Sequence, residues 1–334
     1  MSSSPPVPPL SDLVGSARVV SLPLTTRFRG TDVRELVLLR GPEGWAEFSP
    51  FPEYDDAEAA DWLLAAIDFG WSPVGVAARS LIRVNATLPA VAVDAVAGVL
   101  ARFPGCRTVK IKVAEPGQTL AEDVARVAET RRVLGPEGRI RVDANAAWNV
   151  DEAEHAIHAL APYDLEFVEQ PCASVAELAE IRGRVRYMGI PIAADESVRR
   201  ASDPMAVVDA GAADILVVKA QPLGGIRRAL GLVERAGLPV VVSSALESSV
   251  GISMGAHLAA RIPELEFDCG LGTAALLAGD VTREPLVPVD GVIPVRRIDV
   301  DEQLVAAAGV APDRAAWWLD RLSRCHALLA GRSS

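Results

Sequence analysis

Eight short runs rich in β-branched and apolar residues recur along this chain, each followed by a helical pattern, and that alternation limits the possible folds most sharply. The runs fall at residues 81–85, 108–113, 140–145, 165–171, 191–197, 214–222, 238–244 and 265–270. Several are almost continuously apolar until a polar end, as in strands buried on both faces of a parallel sheet. Helix signals lie between them. Thr119-Leu120-Ala121-Glu122 is a capping box for a helix that stops at Gly135-Pro136 and turns Leu120, Val124, Val127 and Ala128 to one face. Asn149 to Glu152 and Ser174 to Glu177 repeat that spacing, and Gly224-Gly225 opens a further helix. Eight such units predict an α/β chain built on a closed, TIM-type (β/α)8 barrel.

The barrel is expected over residues 81–285. Residues 1–80 are expected to form an N-terminal capping domain, with strands near 19–24, 35–40 and 45–48 and a helix near 57–68. Residues 286–334 hold an Asp290-Gly291 hairpin turn and two helical stretches, predicted to pack with the cap and the barrel as an α+β unit. The Ser/Pro-rich start, about 12 residues, is expected to be disordered and has no signal-peptide pattern. A formal net charge of −11 speaks against nucleic acid or an anionic membrane surface as partner. No apolar run approaches the roughly 20 residues of a membrane span. Cys106, Cys172, Cys269 and Cys325 are widely spaced, with no Cys-x-x-Cys pair, and read as free thiols of a cytoplasmic protein. Monomer and small homo-oligomer both remain open.

Polar residues gather at the strand ends. The second strand carries Lys110-Ile111-Lys112, the third ends in Asp143-Ala144-Asn145, the fourth in Glu169-Gln170-Pro171, the fifth in Asp195-Glu196-Ser197, and the sixth holds Lys219. Lys112, Asp143, Glu169, Asp195 and Lys219 are 31, 26, 26 and 24 residues apart. One βα unit takes about 30 residues, so each of the five advances one strand around the barrel toward its catalytic face. Any one alone would read as a loop residue or a helix cap. Asp143, Glu169 and Asp195 brought together would repel, with raised pKa values, unless a cation sits among them. An oxygen-only donor set suits Mg²⁺, with Mn²⁺ as a possible substitute, rather than Zn²⁺. Lys110 and Lys112 share a strand face. Each disfavours the other's ammonium form, as does a nearby cation, which would make a lysine base near neutral pH. Lys219 would stand across the site.

Lys-x-Lys, Val-Asp-Ala-Asn, Glu-Gln-Pro, Ala-Asp-Glu-Ser and Val-Lys-Ala, in this order from about residue 81 to 273, resemble the muconate-lactonising subgroup of the enolase superfamily. That resemblance implies removal of a proton α to a carboxylate, with Mg²⁺ holding the ene-diolate, Lys112 as the base and Lys219 facing the anion from the other side. The stretches 141–148, 219–225, 243–251 and 268–273 point within that subgroup to a member that dehydrates a cyclic carboxylate. The substrate would then be a small carboxylate. Its tail would meet Ser243, Ser244, Gly270 and Leu271, although the two serines could instead cap the next helix. Lys110 would help bind substrate, and Asn145 and Glu196 would support the metal ligands. Arg27 or Arg29, on a loop that covers the mouth in this family, could pair with a substrate carboxylate.

Three other readings remain open. Two opposed lysines also suit racemisation of an N-succinylamino acid. Muconate cycloisomerisation needs the same site. A non-catalytic metal-binding barrel would use the lysines only as ion-pair partners. His257 lies in a helical stretch rather than at a strand end, so a His–Asp dyad is not expected.

Overall fold

A computed structural model describes residues 7–28, 30–200 and 203–332. The chain starts with a helix, Leu10–Ser16, whose Leu13 is fully buried. Residues 10–12, within the stretch expected to be disordered, open this helix, and Leu13 packs it against the cap. Residues 1–6 and Arg29 lie outside the described residues. Three antiparallel strands follow: β1 (Arg18–Phe28), β2 (Thr31–Gly41) and β3 (Gly44–Phe48). The helix Asp56–Trp71 packs on this sheet, capped by Asp55 accepting from the Glu58 N–H. The long C-terminal helix Pro312–Arg332 covers it, with Trp318 edge-on to Phe48 at 6.1 Å. Both chain ends thus form one cap.

The next strand, β4 (Leu81–Arg83), does not start the barrel. It pairs antiparallel with β12 (Val292–Pro294), which returns from the Asp290-Gly291 turn. Both turn residues have the positive φ that an Asp-Gly hairpin requires. The first barrel strand is β5 (Ala86–Leu88), beside β6 (Thr108–Lys112). Residues 81–85 carry strong β propensity, but propensity names no partner: the returning C-terminal strand claimed 81–83, while Val84 bridges Cys269 and the Asn85 N–H donates to the Cys269 carbonyl at the barrel's closure. Strands β7 (Arg139–Asp143), β8 (Leu165–Glu169), β9 (Ile192–Ala194), β10 (Ile215–Val218) and β11 (Val240–Val242) continue the parallel sheet in sequence order. The eighth position is not a regular strand. Gly270 bridges Ser243 and Cys269 bridges Val84, which closes the ring. A Cβ on Gly270 would sit 2.4 Å from Ser243 Oγ, so the close approach depends on glycine.

Capping boxes at Thr119/Glu122, Asn149/Glu152 and Ser174/Glu177 are all formed. Inward-facing residues alternate along each strand. Phe167, Ala193, Ile215, Val217 and Val241 make an apolar floor inside the ring, with the polar strand ends above it. The four cysteines are free thiols. Among the described residues no helix is long and apolar enough to cross a membrane.

Candidate active site

Strand register does most of the positioning. Lys112 pairs with Asp143, and Asp143 with Glu169, so three of the five strand-end residues stand at one level of the barrel. Asp195 follows β9 and Lys219 follows β10. The structure brings all five together, buried. Lys110 Nζ lies 3.0 Å from Asp143 Oδ2 and 2.8 Å from Glu169 Oε1. Lys112 Nζ is 2.5 Å from Asp143 Oδ2 and donates to Asn145 Oδ1 at 2.7 Å. Lys219 Nζ is 2.6 Å from Asp195 Oδ2. Strands β6 and β10 are four steps apart in the sheet order, so Lys112 and Lys219 reach the same space from opposite sides.

Cations do sit among the three carboxylates, as lysine ammoniums. Burial pushes Asp143 up, but the ammonium groups of Lys110 and Lys112 override it and hold the carboxyl well below the usual range. Burial is likewise outweighed at Asp195, by Lys219 and Arg199. Only Glu169 rises, to about 7, through burial and the Asp143 charge. Lys110 departs from expectation. Burial favours its neutral form, yet Asp143 and Glu169 raise it and keep it cationic.

A second row of residues holds this cluster. Asn145 Nδ2 donates to Glu196 Oε1 at 3.2 Å. Arg199 donates from Nη2 to Glu196 Oε1 at 2.7 Å and from Nε to Asp195 Oδ1 at 3.0 Å. Lys112, Asn145, Glu196, Arg199, Asp195 and Lys219 therefore form one hydrogen-bonded arc between the two lysines. Gln170 Oε1 accepts from the N–H groups of Asp195 and Ser197 at 2.9 and 3.2 Å and fixes where the fifth loop starts. Ala114, Asn145, Gln170 and Leu246 follow strand ends with positive φ, so strained backbone gathers at this rim.

The space above is lined by Phe28, Phe51, Thr87, Lys110, Lys112, Asn145, Lys219, Ser243, Ser244, Ala245, Leu246, Gly270 and Thr273, and encloses about 20 Å³. Ser243 and Ser244 face it. The helix Ser249–Ala259 is capped by Ser248, so neither of them caps it. Two sequence candidates lie elsewhere. Leu271 is fully buried, and the Cβ of an alanine at Gly255 would meet its Cδ2 at 2.6 Å, so it packs the core. Arg27 is exposed and turns its Nη2 to Gly30 O at 3.1 Å. The adjoining residue of that loop, Phe28, enters instead, with its ring centroid 5.4 Å from Lys112 Nζ. Sequence reasoning missed Phe28, Phe51, Thr87, Gln170 and Arg199. Only Gln170 carried a signal, as part of Glu-Gln-Pro.

Among the described residues no three His, Cys, Asp or Glu side chains converge as a ready-made metal cage. The carboxylates are spaced around lysine ammoniums. They nonetheless fit a hard divalent cation: the donors are all oxygen, Lys110 Nζ already marks a cation position between two carboxylates, and the buried Glu169 Oε2 has no hydrogen-bond partner.

The family model "Enolase C-terminal domain-like" matches residues 92–299 and "Enolase N-terminal domain-like" matches residues 19–70, so barrel and cap together define an enolase superfamily protein, a class that generally acts with a divalent metal. A muconate lactonizing enzyme from Pseudomonas fluorescens, solved with muconolactone, shares the fold with a TM-score of 0.75 at 22% identity, over 88% of this chain and 98% of its own. The o-succinylbenzoate synthase of Thermobifida fusca is 54% identical, over 93% of this chain and 96% of its own. That of Mycolicibacterium smegmatis is 51% identical, over 97% and 99%. The chain belongs to the o-succinylbenzoate synthase family of the enolase superfamily.

Proposed function

We propose that this chain is a lyase that dehydrates 2-succinyl-6-hydroxy-2,4-cyclohexadiene-1-carboxylate to 2-succinylbenzoate, as an o-succinylbenzoate synthase of menaquinone biosynthesis. One observation carries the reading. Lys112 and Lys219 enter one buried space from opposite sides, above three carboxylates on adjoining strands. That geometry can take a proton from carbon on one face and support the resulting anion from the other.

Asp143, Glu169 and Asp195 would hold Mg²⁺, which supplies Lewis-acid stabilisation of an ene-diolate when bound. The protein's own groups do the rest. Formally the cluster balances four carboxylates (Asp143, Glu169, Asp195, Glu196) against four cations (Lys110, Lys112, Lys219, Arg199). Any further positive charge there favours loss of an ammonium proton. Lys112 takes the α-proton and returns it to the departing hydroxyl, so water leaves and the ring becomes aromatic. Lys219 faces the anion from the other side. Lys110 lines the same space and would help bind the substrate. Phe28 and Phe51 exclude water, while Ser243, Ser244 and the Gly270 backbone face the succinyl tail. Free thiols support a cytoplasmic setting.

The test is an assay of purified protein with Mg²⁺ on the cyclohexadiene substrate, following product absorbance. N-Succinylamino acids run in parallel in D₂O. Fast dehydration with slow or absent α-proton exchange supports the proposal. Exchange without dehydration moves the function to racemisation on the same residues.

A further inference from the structure

Arg199 lies at the centre of the arc between the two lysines, yet it belongs to none of the strand-end motifs. It closes the single-turn helix Glu196–Arg199, and its side chain is only 2% exposed. Each of its three nitrogens has a different acceptor. Nε meets Asp195 Oδ1, Nη2 meets Glu196 Oε1, and Nη1 donates to the Tyr54 hydroxyl at 3.0 Å. The first two acceptors belong to the barrel. The third belongs to the cap.

Tyr54 is itself held on several sides. Its ring stands edge-on to Phe51 at 5.5 Å and is tilted against Trp62 at 6.2 Å. The C-terminal helix reaches the same loop, with Arg321 donating to the backbone oxygens of Phe51 and Tyr54. Arg200 lies 4.9 Å from the Tyr54 ring centroid. Phe51, in turn, is a wall of the substrate space. A rigid path therefore runs from that wall through Tyr54 to a guanidinium that grips Asp195 and Glu196.

Lys219 takes one oxygen of Asp195 and Arg199 the other, so the plane of that carboxylate is set by these two partners. A guanidinium fork can serve three acceptors in fixed directions, whereas an ammonium acts as a point charge. We propose that Arg199 is a positioning residue which, through Tyr54, couples seating of the cap loop 51–55 to the orientation of Asp195 and Glu196, and thereby to divalent-metal affinity. This rests on the reading of Asp195 as a metal ligand.

The experiment titrates full-length wild-type, Tyr54→Phe, Arg199→Lys and Arg199→Met proteins with Mg²⁺ and Mn²⁺ in a calorimeter without substrate. Thermal midpoints and the metal dependence of kcat accompany the titrations. Tyr54→Phe keeps every ring contact and removes only the hydroxyl, so folding is expected to survive. We expect Arg199→Met to bind metal about 10- to 100-fold more weakly, the range for losing a partner that orients a ligand. Arg199→Lys should recover part of that loss, Tyr54→Phe should lose several-fold, and raised metal should restore the kcat of Tyr54→Phe. Unchanged affinity in Tyr54→Phe and Arg199→Met, alongside normal wild-type binding, overturns the role of Arg199. Absence of binding by the wild-type protein overturns the metal-site reading itself.

Discussion

Glu47 sits on β3, wholly buried where the cap meets the barrel, and its chemistry makes a quantitative prediction. Oε2 accepts from the N–H and Oγ of Ser248 and from the Gly251 N–H, at the start of the helix Ser249–Ala259. Oε1 accepts from Ser49 Oγ at 2.6 Å. Burial and the charge of Glu247 push its carboxyl up to about 7, against 4.5 for a free glutamate. Between those values the folded protein keeps a proton that the unfolded chain has released. The associated stability is full below about pH 4.5 and is lost as pH rises through about 7. At 1.36 kcal/mol per pH unit the whole effect is about 3 kcal/mol, of which roughly 2–3 kcal/mol falls between pH 5 and 8. Glu47→Gln abolishes this titration and keeps the shape: its carbonyl can serve Ser248 and Gly251, and its amide can meet Ser49 and a turned Gln221. The assay is urea unfolding of wild type and variant at pH 5, 6, 7 and 8 in chelator, followed by the fluorescence of the six tryptophans. Glu169 titrates in both proteins and cancels in the difference. The variant should gain about 2–3 kcal/mol on wild type across the range. Parallel curves would show that Glu47 folds as a carboxylate and would refute the reasoning.

Other substitutions probe the site directly. Lys112→Ala should lower kcat by about 10²–10⁴-fold in the dehydration assay with little change in KM, as for loss of a general base; a near wild-type rate would remove Lys112 from that role. Asp195→Asn should leave the circular dichroism spectrum unchanged and weaken Mg²⁺ binding by more than about 100-fold, beyond the effect of a supporting partner; wild-type activity in excess chelator would sink the metal assignment. Phe28→Ala should raise KM about 10- to 100-fold, because a buried ring worth roughly 1.5–3 kcal/mol leaves the pocket wall. A fall confined to kcat would mean that the ring acts on Lys112 instead.

The five charged strand-end residues were readable in the chain because a (β/α)8 barrel turns sequence period into spatial order. One residue per βα unit, at the end of a strand, must face one mouth. Helix starts at Thr119, Asn149 and Ser174 were readable for a related reason: each cap is closed by a glutamate three residues on, within a single turn. The role expected of the 25–30 loop was not readable at residue resolution. Arg27 and Phe28 are neighbours, and which of them enters the site depends on how β1 and β2 end above the barrel.

Long-range pairing lay beyond the sequence altogether. Residues 81–83 had the composition of a first barrel strand, but β12, arriving from some 200 residues downstream, took them as a partner. Arg199 and Tyr54 are 145 residues apart, and Arg34, which donates to Leu246 O, is separated from it by 212. The charge state of the site depended on the same kind of contact. With Lys110, Lys112, Lys219 and Arg199 against them, Asp143 and Asp195 fall while Glu169 rises. By itself the sequence determined the βα alternation, the capped helix starts and the identity of the charged strand-end residues, since these follow from local propensity and period. Only the tertiary structure decided which strand pairs with which, which loop residue turns inward and which carboxyl keeps its proton, because those outcomes depend on burial and on charges brought within about 3 Å by distant parts of the chain.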